Sequence, residues 1–79
     1  MSNSEKLYSA FSEALNISPD IVNDELQYQN IPQWDSISHM LLISAIEEKF
    51  GISLETDEVI DLSSVGMAKE ILKKHNISF

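Results

Sequence analysis

The chain has 79 residues, with thirteen Asp and Glu against five Lys and no Arg, for a formal net charge of −8. That balance excludes nucleic acid and an anionic membrane surface as partners, since both demand a basic footprint. The absence of cysteine excludes disulfides, thiolate metal sites and a thiol nucleophile, while 43% apolar residues are too many for a disordered acidic tail.

So short a chain supports one core, and a single domain over residues 1–79 is expected. With two Gly, two Pro and no strand-like alternation, the elements read as helices joined by loops. The first spans Ser4 to Leu15, where Leu7, Phe11, Ala14 and Leu15 form one stripe. From Asn16 the pattern stops, and a connection punctuated by Pro19, Asn23, Asn30 and Pro32 runs to Trp34. A connection this long is functional or tied down, and Ile17, Ile21, Val22, Leu26 and Ile31 are the expected ties.

A second helix starts at Asp35-Ser36, either of which suits the N-cap, and ends at Phe50 before Gly51. It carries two apolar arcs. His39, Leu42, Ile43, Ile46 and Phe50 fill one; Ile37, Met40, Leu41 and Ser44 lie opposite, with Glu47 and Glu48 alongside. One arc faces the core, and the other is a second buried face or a surface kept apolar for a partner. A brief third helix runs from a Thr56 cap through Ile60. A last one, capped by Ser63 or Ser64, reaches about His75 with Val65, Ala68, Ile71 and Leu72 inward. Gly66 weakens its first turn. The expected fold is all-α: a four-helix bundle with a short third helix and a long loop between the first two helices.

The segment from Asp20 to Leu62 is strongly acidic and holds a single cation, Lys49, so its field suits a basic partner. No apolar run is long enough to cross a bilayer, and nothing near Met1 resembles a secretion signal. A cytoplasmic monomer is expected, without membrane insertion.

Catalytic sets fare poorly. Asp35, Ser36 and His39 include the residue types of a triad, yet adjacent Asp35 cannot orient the far imidazole nitrogen. No Gly-rich stretch offers an oxyanion hole. The two histidines are far apart in sequence, and the acidic stretches lack calcium-loop spacing, so no metal site is expected. What stands out is Ser36, which opens a helix after a long loop. A phosphate ester there would sit at the positive end of the helix dipole. The plainer reading is a helix cap.

The run Trp34-Asp35-Ser36-Ile37, followed by Leu42-Ile43-Ser44-Ala45-Ile46-Glu47-Glu48-Lys49-Phe50-Gly51-Ile52, resembles the core motif of acyl carrier proteins. That family has Asp-Ser-Leu at the start of its second helix and a Glu-Glu-x-Phe ending. The similarity continues through Ser63-Ser64-Val65 and the last helix.

The resemblance implies that Ser36, supported by Asp35, carries 4′-phosphopantetheine, attached by a transferase that uses coenzyme A and magnesium. The thiol absent from the chain would then arrive with the cofactor. The domain itself would catalyse nothing; it would carry cargo between a loading ligase and acyl-using enzymes, raising the local concentration of that cargo. Ile37, Met40, Leu41, Glu47 and Glu48 would meet those partners. His39, Leu42 and Ile46 are candidates for lining a cargo pocket; otherwise His39 is a hydrogen-bonded core histidine. Trp34 is expected to pack the loop onto the bundle.

Three departures from the family's pattern stand out. Gln33 replaces a common Gly, Ile37 replaces Leu, and Ser38 and Leu41 occupy positions that are often acidic. The helix is therefore more apolar beside the serine, which points to a dedicated partner. The readings that stay open are an acyl carrier, an aminoacyl or peptidyl carrier loaded by an adenylating ligase, and an unmodified acidic helical adaptor.

Overall fold

Ser2 opens the first helix by accepting from the Glu5 N–H, and the Glu5 carboxylate reaches back to the Ser2 N–H. In this computed structural model, which describes residues 2–79, that helix is α1 (Asn3–Leu15). It is followed by α2 (Ser36–Phe50), α3 (Thr56–Asp61) and α4 (Val65–Lys74) in an all-helical bundle. Asn16 closes α1 in the left-handed region, and Gly51 does the same for α2 at φ 64°. Asp35 caps α2 and Ser64 caps α4. The cap of α3 is Glu55, one residue before the expected Thr56, and α3 runs on to Asp61.

Leu7, Phe11 and Leu15 of α1 pack with Leu42, Ile43 and Ile46 of α2 and Val65, Ala68, Ile71 and Leu72 of α4. The arc of α2 that faces the core is therefore the Leu42 arc. α3 contributes no fully buried side chain, and its Val59 only leans on this core.

The long loop is organised rather than loose. It holds a single 3₁₀ turn at Pro19–Ile21, capped by Ser18, that the hydrophobic pattern alone does not reveal. Val22 and Leu26 are buried and Ile17 and Ile31 partly so, but Ile21 is exposed and ties nothing down. The stronger attachment is to α4: Tyr28 N–H donates to Ser63 O (2.8 Å), Val65 N–H to Leu26 O (3.0 Å) and Gly66 N–H to Asp24 O (3.0 Å). A side chain at Gly66 would place its Cβ 3.1 Å from Asp24 O. The glycine that weakens the helix is thus what lets the loop dock on it. Lys69 completes the attachment, pairing with Asp24 at 2.9 Å and donating to the Tyr8 hydroxyl at 2.7 Å.

Candidate functional site

The approach to Ser36 is built on Trp34. Its indole is fully buried, edge-on to Phe11 at 5.2 Å and to Tyr28 at 6.0 Å between ring centres. Its backbone N–H donates to Ile31 O and its carbonyl accepts from Gln29 N–H, both at 3.2 Å. One residue on, the Asp35 carboxylate accepts from Ser38 N–H at 2.9 Å. That backbone bond holds the Asp35 carboxyl below its usual pKa range. Ser36 follows as the first residue of α2 and is exposed. A buried anchor and a cap therefore hold the hydroxyl in one place while leaving it open to solvent.

His39 sits one turn further along, partly buried. The indole Nε1–H of Trp34 donates to its Nδ1 at 3.0 Å. Because an indole nitrogen can only donate, Nδ1 carries no hydrogen, and Nε2–H donates to Val59 O in α3 at 2.9 Å. The two rings stack at 20° between planes. Removing the imidazole would strand the buried indole N–H, at a cost of about 1–3 kcal/mol. On the other side of α3, Nε2 of His75 lies 2.9 and 3.1 Å from the two carboxylate oxygens of Glu58. The Glu58 carboxyl is held below its usual range chiefly by the Glu55 N–H, with His75 adding to the effect. Both histidines thus grip α3, one through a backbone carbonyl and one through a carboxylate. The charge pattern marks His75 only as support for the end of α4; a contact so distant in sequence leaves no local signal.

Between α2 and α3 lies an open cavity of about 250 Å³ beside Ser36. Buried Leu62 and the partly buried rings of Tyr28 and His39 form its depth, while Met40 and Ile60 stand at its exposed rims. Of the three candidate cargo residues, His39 borders this space. Leu42 and Ile46 do not: both are fully buried against α1 and α4, because the bundle core needs their arc.

The opposite arc of α2 faces solvent: Ile37 is 75% exposed, Met40 59% and Leu41 57%. Ile60 of α3, 73% exposed, extends the apolar area across the cavity; its isolation in a short helix hides it from a periodicity argument. Glu48 is exposed, but Glu47 is partly buried and its carboxylate accepts from Leu54 N–H at 2.8 Å. Glu47 therefore fastens the segment after α2 instead of standing free beside Glu48. Lys49 reaches back to Glu13 of α1 at 3.3 Å. Among the described residues no group of His, Asp and Glu could hold a metal ion, and no helix is long and apolar enough to cross a membrane.

The geometry has counterparts. The family model for the phosphopantetheine attachment site matches residues 5–72. An acyl carrier protein from Lactobacillus johnsonii is 33% identical over 70 residues, covering 89% of this chain and 88% of its own length. One from a Sulfurovum species is 33% identical over 61 residues, covering 77% and 81%. The solution structure of a holo acyl carrier protein from Geobacter metallireducens superposes with a TM-score of 0.78 at 27% identity, over 94% of this chain and 85% of that one. An all-helical bundle of this layout, matched along most of its length by these proteins, places the chain in the acyl carrier protein family, whose members are carriers of covalent 4′-phosphopantetheine and not catalysts.

Proposed function

We propose that Ser36 is the attachment point and that the chain, as one carrier unit, shuttles an acyl group between enzymes. The observation that carries this reading is the exposed Ser36 at the first position of α2, held between buried Trp34 and the Asp35 cap. The residues fit the arm. A phosphodiester on Ser36 lies at the positive end of the α2 dipole, and the open cavity begins at the same residue. When bound, the arm supplies the terminal thiol that the chain lacks. The protein's own residues do the rest: Trp34 and Asp35 fix the serine's position, and Asp35 spends its carboxylate on the helix.

Attachment falls to a phosphopantetheinyl transferase using coenzyme A and magnesium, and loading to a ligase or an acyl-using enzyme, in the cytoplasm. The docking face is Ile37, Met40, Leu41 and Glu48, with Ile60 across the cavity. Its apolar centre and acidic surroundings suit a partner with an apolar patch rimmed by Lys or Arg. The three exposed apolar side chains beside Ser36 favour a dedicated partner over the general fatty-acid enzymes. Turnover as fast with those enzymes as with an adenylating ligase would overturn that choice.

The test is intact mass after incubation with coenzyme A and a broad-specificity transferase. A gain of one phosphopantetheine that disappears in Ser36→Ala is expected. No gain by folded protein would leave the chain an unmodified helical adaptor.

A further inference from the structure

The cavity beside Ser36 leads nowhere. Its depth is formed by Leu62, Tyr28 and His39, and directly behind the two rings stands the Trp34 indole, which in turn abuts Phe11 in the centre of the bundle. Trp34 and Phe11 are both fully buried. The line from cavity to core is thus filled by aromatic rings. It is also bolted: Trp34 Nε1–H to His39 Nδ1 at 3.0 Å, and His39 Nε2–H to Val59 O at 2.9 Å. A chain entering the core along this line must part α2 from α3, break both bonds and strand a buried indole N–H. At roughly 30 Å³ for each water-sized group, a space of 250 Å³ takes about eight non-hydrogen atoms.

We propose that Trp34 and His39 set the length of cargo this carrier can shelter: a short acyl group fits the cavity, and a long fatty chain is barred from the bundle and left in solvent. This rests on Ser36 being the point of attachment, and it adds a substrate class to that reading. The two residues act by position. Neither reacts with the cargo; the indole fills the space a longer chain would need, and the imidazole locks the indole and the α3 wall together.

Ser36→Cys makes the sole cysteine in the chain, so butyl, octyl and tetradecyl methanethiosulfonates place chains of increasing length at the cavity without any transferase. A failure here is therefore separate from a failure of enzymatic loading. The expected result is that the butyl chain shifts the Val59 and Ile60 methyl signals and raises Tm. The octyl and tetradecyl chains should add nothing further to Tm and leave the Trp34 indole N–H signal where it was. With His39→Ala added, the tetradecyl chain should move that indole signal. Two results on the Ser36→Cys background alone would each overturn the proposal. One is a Tm that climbs with chain length together with a moving Trp34 signal. The other is a butyl chain that leaves the Val59 and Ile60 methyls unmoved.

Discussion

α2 and α3 wall the same cavity but are held by different forces. α2 buries Leu42, Ile43 and Ile46 and is clamped by α1 and α4. α3 has six residues, no fully buried side chain, and polar grips from His39 and His75 on its two sides. Apolar burial is non-directional and cooperative, whereas two hydrogen-bonded grips can open one at a time. The element that carries Ser36 is therefore the fixed wall, and the element facing it is the one that can yield.

The comparison breaks most visibly at Trp34, which serves both walls. Trp34→Ala should cost about 3–5 kcal/mol in urea unfolding, as for other buried aromatic truncations. If the loss were under about 1 kcal/mol, the indole would not be the anchor described here. His39→Ala should cost less, about 1–3 kcal/mol, since it strands the indole N–H but empties little volume. Amide exchange should then speed up in α3 well before it does in α1 or α4. Equal acceleration everywhere would mean that α3 is not separately held.

Acid sharpens the same contrast. The carboxyls of Glu58 and Asp24 are held below their usual range, the first mainly by the Glu55 N–H and the second mainly by Lys69. Lowered folded-state pKa values mean stability present at neutral pH and lost as pH falls through and below about 4. Lys69 is raised, mainly by Asp24, so its share of that one interaction persists up to about pH 10 and fades above it. Tm should therefore drop below pH 4, with α3 and the long loop exchanging first. Asp24 is more than half exposed, so the loss is modest. The smallest effect on stability belongs to the docking face. Ile37→Ser with Met40→Ser should change unfolding by no more than about 0.5 kcal/mol each, yet slow transfer to partner enzymes. Unchanged transfer would place docking elsewhere.

Much of α2 was legible in the sequence, because its signals are local: Asp35 caps it, Gly51 ends it, and two apolar arcs show on one wheel. The resemblance in the motif around Ser36 added the chemistry. What escaped depends on neighbours distant along the chain. The same apolar pattern gives Leu42 and Ile46 to the core or to a pocket, and only packing assigns them to the core. Glu47 looks as free as Glu48 until Leu54 folds back onto it. Ile21 has the composition of a tie but sits on the outer side of its 3₁₀ turn. The grip of His39 on Val59 and of His75 on Glu58 joins helices that no periodicity relates.

The central claim is that one serine, on the fixed wall, carries the arm. Peptide-level fragmentation of the protein after reaction with coenzyme A and a transferase tests it most directly, because Ser38 and Ser44 share the helix with Ser36. The account predicts a single phosphopantetheine on Ser36 and none on the other two. Modification at Ser38 or Ser44, or a folded protein that takes up nothing, would contradict it.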